Sequence, residues 1–298
     1  MSIQDITIVI TSFKSDEKIK DCLNSINSKC KVLLIENSND IDFKSRIENQ
    51  FTNVECILTG DNLGYGKANN IGLKKVTSKY ALILNPDTFL ESSTLDEFFK
   101  ISKSIGRFAI IGPYIQEQNQ KKENKDNSNL AISEKELHKE AKPLVNLNLR
   151  MVENVKGFAM FLNLSEFSDI GFFDEDFFIY FEEIDLCRRV IKLNKKIYLA
   201  PSIKINHSGG QSHNNEINDE MELSRNWHWM WSTFHYHKKY EGFLSAFLKV
   251  FIKFISSMIK FLFYFILLNK KKGKIYYQRF SGLLNSIAGK KSWYRPKV

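Results

Sequence analysis

Apolar positions along the first third of the chain fall into two alternating patterns. Residues 6–10 (ITIVI) form a β-branched run that predicts a buried strand. Ile19, Cys22, Leu23 and Ile26 then recur at spacings of three and four, which predicts a helix over 16–27. Apolar runs at 32–35, 54–58 and 80–84 predict three more strands, and 66–76 reads as a helix between the last two. Strands alternating with helices predict an α/β domain with a mostly parallel central sheet covered by helices on both faces. In such sheets ligands bind beyond the carboxyl ends of the strands. Three polar clusters fall there: Thr11-Ser12-Phe13, Glu36-Asn37-Ser38 and Asn85-Pro86-Asp87.

The pattern changes further along. Residues 116–142 are almost wholly polar and predict a long surface loop or flap. Order returns at 155–162. An aromatic run at 177–181 leads into a helix over 182–193, a short strand is expected at 197–199, and 216–240 reads as an aromatic-rich helix with Trp227, Trp229 and Trp231. Residues 242–268 are mostly Phe, Leu, Ile, Val and Met, interrupted on one helical face by Ser245, Lys249, Lys253, Ser256, Ser257 and Lys260. A helix of that length is ~40 Å long. Spanning a bilayer would put lysines mid-membrane at roughly 2.5–3.5 kcal/mol each. Lying in the interface would keep them at the headgroups, so that is the favoured reading; a spanning helix and a core or dimerisation helix are the alternatives. The domain division expected is 1–240 for the α/β domain and 241–298 for a basic amphipathic membrane-association region.

Charge supports that division. The chain of 298 residues has a formal net charge of +9, but residues 242–298 hold 12 of its 43 Lys and Arg and none of its 34 acids. A basic region of this kind points to an anionic surface. Lysines interleaved with long apolar runs suit a membrane better than nucleic acid. The four cysteines are scattered, with no C-x-x-C pair, so neither a disulfide framework nor a zinc site is expected and a reducing compartment is. The first residues run straight into the first strand without a basic-then-apolar leader, so no signal peptide is expected.

Four segments carry candidate chemistry. Asp87, just past an apolar strand, is placed to hold a divalent cation, although Asn-Pro-Asp also forms plain turns. The stretch from Asn62 to Asn70 (NLGYGKANN) puts two glycines before a helix, where backbone and helix N-terminus accept an anion; it is neither a G-x-G-x-x-G fingerprint nor a Walker loop. Glu182, Glu183 and Asp185 open a helix after Phe177, Phe178, Tyr180 and Phe181. They either serve the helix N-terminus and pair with Arg188 and Arg189, or one sits in an aromatic cage with a raised pKa and acts as a base. His207 precedes Ser208-Gly209-Gly210, which predicts a sharp turn, and its imidazole can ligate a metal.

Taken in order, these segments resemble glycosyltransferase family 2, with a GT-A (Rossmann-like) fold, and within it the rhamnosyltransferase-like enzymes of bacterial surface polysaccharides. The resemblance covers roughly residues 5–240. It implies that Thr11 and Phe13 line a nucleotide site, and that Glu36 contacts the nucleobase where the family usually has aspartate. Asn62, Gly64 and Asn69 would shape the pocket for ribose and diphosphate. Asp87 matches the last acid of the family's D-x-D motif, whose first acid is replaced by Asn85; with His207 it would hold Mg²⁺ or Mn²⁺. Glu183 matches the catalytic base, and Asp185 is the rival. The implied reaction is inverting, non-processive transfer of one sugar from a nucleotide-diphosphate donor to a polyprenyl-diphosphate-linked saccharide or glycan acceptor, peripherally at the cytoplasmic membrane face. Rhamnose from dTDP-rhamnose is the first donor implied, and galactofuranose or a hexose from a UDP-sugar the next. The competing readings are an inactive membrane-associated scaffold and a sugar nucleotidyltransferase, although the loop after the first strand lacks the Gly-rich, basic character of the latter.

Overall fold

The computed structural model describes residues 3–117, 143–144, 149–207 and 213–297. Four strands form where the β-branched runs predict them: β1 (Ile6–Ser12), β2 (Lys31–Glu36), β3 (Val54–Leu58) and β4 (Tyr80–Leu84). They lie parallel in the order β3-β2-β1-β4. β1, β2 and β4 are buried over nearly their whole length, as strands covered on both faces must be. Ser12 is in register with Glu36 and Ile10 with Leu84, so all three polar clusters end at one edge of the sheet.

The helices between them bury one stripe each. α1 (Asp16–Asn24) buries Ile19, Cys22 and Leu23. α2 (Ile41–Gln50) is capped by Asp40, which accepts from the Phe43 N–H at 2.8 Å, and buries Phe43 and Ile47. α3 (Tyr65–Lys75) approaches the sheet at Gly72, where an added Cβ would lie 2.5 Å from Val9. α4 (Thr94–Ser104) buries Leu95, Phe98 and Ile101.

The rest of the sheet corrects the mostly parallel expectation, for the sheet is mixed. β5 (Thr88–Leu90), β6 (Ile110–Glu117), β7 (Pro143–Leu144), β8 (Leu149–Met151), β9 (Ala159–Asn163) and β10 (Ile197–His207) complete the order β3-β2-β1-β4-β9-β6-β10-β8-β7 among the described residues, with β5 on β10. β9 runs antiparallel to both β4 and β6, an arrangement that needs no helical crossover. The strand expected at 197–199 continues to His207. Its register against β6 shifts between Ala200 and Lys204, and Pro201 falls in that irregularity, where the ladder does not need its missing N–H. Gln116 belongs to β6; residues 118–142 of the expected flap lie outside the described residues.

The chain divides into two compact units. The first contains all ten strands with α1, α2, α4, most of α3 and the later part of α5 (Glu182–Lys192). The second contains residues 64–67, residues 174–185 and everything from Asn215 on. Its core is α6 (Asn218–Glu241), α7 (Phe243–Ile266) and α8 (Lys270–Ile287). Gly242, with φ +84°, makes the turn between α6 and α7. α8 packs closely on α6, because Gly282 leaves no Cβ to meet the Trp227 carbonyl, which would be 2.3 Å away. No described helix is long and apolar enough to cross a membrane.

Candidate functional site

In the first unit the site grows from the carboxyl edge of the parallel strands. Thr11 and Ser12 close β1; their hydroxyl oxygens are sealed from solvent and hydrogen-bond to nothing in the protein. A buried hydroxyl without a partner costs roughly 1–3 kcal/mol, so two together mark a surface built for a polar ligand. Phe13 is half-buried, and its N–H donates to Ser15 Oγ at 3.2 Å. Glu36, at the end of β2, is buried and organises its own turn. Its Oε1 accepts from Ser38 N–H (2.8 Å) and Ser38 Oγ (2.5 Å), and its Oε2 from Asp40 N–H (2.9 Å). Asn37 Oδ1 accepts from Thr59 Oγ1 and from Leu63 N–H, tying the 59–63 loop to β2. Asn62 has its N–H on Asp61 Oδ1 at 2.7 Å. Asn69 is fully buried on α3, and the next residue, Asn70, clamps Phe173 by paired 2.9 Å hydrogen bonds to its N–H and C=O.

Beyond β4 the chain turns at Asn85. Its N–H donates to Phe158 C=O (2.8 Å), and its carbonyl accepts from Thr88 Oγ1 (2.7 Å). That turn delivers Asp87, fully buried, to the start of β5. β5 pairs antiparallel with the end of β10, setting Thr88 opposite His207. Residues some 120 positions apart in sequence thereby meet: His207 Nε2 lies 3.4 Å from Asp87 Oδ1. The two atoms are not aligned for a hydrogen bond, since Nε2 makes none, and the imidazole is stacked on Phe158 at 4.8 Å. A cation bonded to both at roughly 2.1 Å in octahedral geometry would hold them about 3 Å apart. A carboxylate and an imidazole at this spacing fit a divalent ion. His207 is the last residue of a strand, where a turn was expected; Ser208–Gly210 lie outside the described residues.

The second unit has its own cluster. Gly64 adopts φ +81°, and an added Cβ would lie 2.2 Å from the Phe178 carbonyl, which accepts from Tyr65 N–H at 2.8 Å. Tyr180 and Phe181 both have positive φ (70° and 71°), a left-handed pair of bulky residues just before α5. Such strain persists only where the surroundings over-determine it, and it concentrates at functional sites. Glu182 is buried, and Glu183 is partly exposed as a residue although its Oε2 is sealed. Neither Oε2 has a hydrogen-bond partner. Burial pushes the Glu182 carboxyl well above its ordinary range, with the Glu183 charge adding to it, and burial raises Glu183 as well. Asp185 is different. Its Oδ1 accepts from Lys239 Nζ (2.5 Å) and Tyr240 Oη (2.7 Å), which makes it the buried half of an ion pair whose lysine is partly exposed. Arg189, further along the same helix, donates to the Ile170 and Phe172 carbonyls.

The aromatic cage expected from 177–181 is only partly realised. Phe178 lies elsewhere, stacked between His228 (4.4 Å) and the Arg295 guanidinium (3.9 Å). Phe177, Tyr180 and Phe181 instead cluster with Trp229, Tyr236 and Tyr240. Asp174, Asp176 and His235 also place ligand atoms within 4.8 Å of one another, but Asp174 accepts from Lys239 Nζ at 2.6 Å, so a cation there would compete with an ammonium already in place.

Residues 7–186 match the family model described as "Glycosyl transferase family 2". The chain belongs to glycosyl transferase family 2. Among its curated relatives, the low-salt glycan biosynthesis hexosyltransferase Agl10 of Haloferax volcanii is 28% identical over 204 residues, 65% of this chain and 64% of the relative, so just under two thirds of that enzyme is matched. The rhamnosyltransferase WbbL of Escherichia coli is 24% identical over 232 residues, 67% of this chain and 82% of the relative. The N-acetylglucosaminyl-diphospho-decaprenol L-rhamnosyltransferase of Mycobacterium tuberculosis is 22% identical over 206 residues, 61% and 67% of the two chains. Among solved structures, the mannosyltransferase PcManGT from Pyrobaculum calidifontis in complex with GDP-Man and Mn²⁺ superposes with a TM-score of 0.57 at 8% identity, covering 96% of this chain and 88% of that one. S. aureus TarS 1-349 gives 0.52 at 13% identity, covering 97% and 93%. These two likenesses speak for the fold, an α/β GT-A architecture.

For this family 2 glycosyltransferase, the residues marked in the sequence sort into two groups. Thr11, Phe13, Glu36, Asn62, Asn69, Asn85, Asp87 and His207 belong to the first unit, and Gly64, Glu183 and Asp185 to the second. Ser12 and Asn37 fall within the polar clusters read from the sequence and Trp229 within its aromatic helix, but none of the three was given a role there. Trp229 is distinctive among the four tryptophans. Trp227 donates to Ser281 Oγ (3.2 Å), Trp231 to the Lys290 carbonyl (3.0 Å) and Trp293 to Asn285 Oδ1 (3.1 Å), whereas the buried Nε1 of Trp229 donates to nothing in the protein.

Proposed function

We propose that the chain is an inverting, non-processive glycosyltransferase that moves one sugar from a nucleotide-diphosphate donor to a lipid-linked saccharide or glycan acceptor at the cytoplasmic membrane face. The observation that carries the reading is the Asp87–His207 pair, a carboxylate and an imidazole 3.4 Å apart beside the partnerless Thr11 and Ser12 hydroxyls at the carboxyl edge of the sheet. Rhamnose is the first donor sugar proposed, supported by the two rhamnosyltransferases among the relatives. Galactofuranose or a hexose from a UDP-sugar is the second; the Haloferax hexosyltransferase supports the transfer of a hexose. The decaprenol-linked name of the Mycobacterium relative supports a lipid diphosphate as the acceptor's carrier, and residues 241–298 are proposed as the membrane-association region.

Asp87 and His207 would hold Mg²⁺ or Mn²⁺, which neutralises charge on the departing diphosphate; the imidazole favours Mn²⁺, since Mg²⁺ prefers an all-oxygen shell. Thr11, Phe13 and Asn62 are proposed to line the nucleotide pocket, with Asn69 and Asn85 shaping its walls. Glu36 would act on the nucleobase through the turn it organises, because its carboxylate oxygens already accept three hydrogen bonds. Glu183 is proposed as the base. It takes the proton from the acceptor hydroxyl as that oxygen bonds to the anomeric carbon. The bond from carbon to the phosphate oxygen breaks on the opposite side, and its electron pair leaves with the nucleoside diphosphate. A carboxyl whose pKa burial raises holds a proton more tightly, as a base for a hydroxyl must. Asp185, held by Lys239 and Tyr240, is left a structural role.

The test is a donor panel of dTDP-rhamnose and UDP-sugars with Mn²⁺, following nucleoside-diphosphate release. Glu183→Gln is expected to lower kcat about 10²–10⁴-fold with donor Kd unchanged. Asp87→Ala is expected to abolish Mn²⁺-dependent donor binding in calorimetry. Absence of both turnover and donor binding would favour instead a scaffold that kept the fold without the reaction.

A further inference from the structure

α7 has two unlike faces. Toward the rest of its unit it buries Ala246, Val250 and Ser257, with Phe247 and Phe254 at the seam. On the other side Leu244, Leu248, Ile252, Ile259, Leu262 and Ile266 are each between 50% and 77% exposed. Their spacings of three, four and seven make one stripe along the helix, ~36 Å long for 24 residues. Lys249, Lys253 and Lys260 fall together on one flank, between the stripe and the buried seam. A contiguous apolar surface of this extent, rimmed by charge, is an interaction site rather than ordinary exposed leucine.

The charge chooses the occupant. Residues 242–298 contain 12 cations and no acid; Lys249 is engaged by Glu241 at 2.6 Å, but a second copy docking through the same face would still set Lys253 and Lys260 against their own counterparts. An anionic leaflet complements it. The geometry also sets the depth. One face of α7 is committed to protein, and the lysine row cannot enter hydrocarbon, so the helix lies along the boundary and does not cross it. We propose that the Leu244–Ile266 stripe of α7 seats in the headgroup–acyl boundary of an anionic lipid leaflet, with Lys249, Lys253 and Lys260 at the level of the phosphates. This deepens the membrane location proposed above and rests on it, naming the lipid chemistry and the residues that meet it.

Flotation of the full chain tests it, with vesicles of phosphatidylcholine alone and vesicles containing phosphatidylglycerol. The protein is expected to float with the anionic vesicles. Replacing the three lysines with Gln should weaken the partition roughly a hundredfold, about fivefold for each. Leu248→Glu with Ile252→Glu, on the exposed face and so without effect on folding by circular dichroism, should abolish flotation. Flotation of that double variant equal to wild type would overturn the proposal. So would a dimer in light scattering that the same two changes dissolve, since the stripe would then be a protein interface. Release of nucleoside diphosphate in the absence of vesicles separates the two readings. If it proceeds while the full chain ignores anionic lipid, the membrane seat falls and the transferase stands.

Discussion

Two tryptophans on one helix should respond oppositely to the same change. Trp231 donates to the Lys290 carbonyl, whereas Trp229 donates to nothing. Trp231→Phe is expected to lose about 1 kcal/mol in urea unfolding, and Trp229→Phe to be neutral or stabilising, because it removes a buried donor that was never satisfied. Glu182 gives a pH-dependent counterpart. Its folded carboxyl binds a proton more tightly than the unfolded one. The stability this confers is complete below the ordinary carboxylate pKa and is lost as pH rises through the raised value. Glu182→Gln should therefore gain on wild type as pH climbs through that window, by about 1.4 kcal/mol for each unit of elevation, then level off. Chemical denaturation at several pH values would show it, and a flat difference would mean that Glu182 is solvated. These features were invisible in sequence, since a tryptophan's missing partner or a carboxylate's burial depends on what tertiary packing brings near. Asp87 and Glu183 were visible, because each comes after an apolar or aromatic run whose end aims it.

The elements that were legible are those whose buried side chains make an unbroken apolar run or a clear helical spacing. β1, β2 and β4 and helices α1, α3, α5 and α6 coincide with strong runs or spacings. α2, α4 and α8 went unread, the first and last of these for a shared reason. α2 buries only Phe43 and Ile47 in a polar stretch, and α8 packs through Gly282 and Ser286 as much as through Tyr276 and Leu283. Close approach by small residues leaves no hydrophobic signature, yet it is demanding. Gly282→Ala would force α8 off Trp227 and should cost at least about 2 kcal/mol, measurable as a fall in Tm. The C-terminal segment after α8 is pinned by another buried contact. His228 Nε2–H donates to the Tyr294 carbonyl, and Nδ1 accepts from Ser292 Oγ. Burial, with Arg295 nearby, pushes its pKa down to about 3, although the Tyr294 bond opposes the shift. The imidazole is thus kept neutral, and the stability it contributes is full above pH 6.5 and lost as pH falls toward 3. Tryptophan fluorescence from Trp293 should report release of this segment in acid, and His228→Gln should flatten the dependence.

At the scale of the whole molecule, the three C-terminal helices form one unit in which Trp227, Trp231 and Phe234 of α6 are covered by α7, α8 and the C-terminal segment. A chain ending at Glu241 would strip that cover and is expected to aggregate, which gel filtration would register. The proposed cation site belongs to the other unit and depends on a pairing of only three residues, Thr88–Leu90 with Ile205–His207. The mixed order of the sheet was hidden in sequence for a related reason, because β9 and β10 find their partners across long intervening chain. That distance has a temporal consequence. Closing a loop of some 120 residues is slow compared with forming α1 or the β1–β2–β4 core, so a refolding chain passes through a stage that already has helices and strands but no place for a metal. Competence to take up Mn²⁺ should then trail the far-ultraviolet signal, and the order in which a cell supplies ion and nascent chain would matter little, since the ion cannot template the pairing that creates its own ligands.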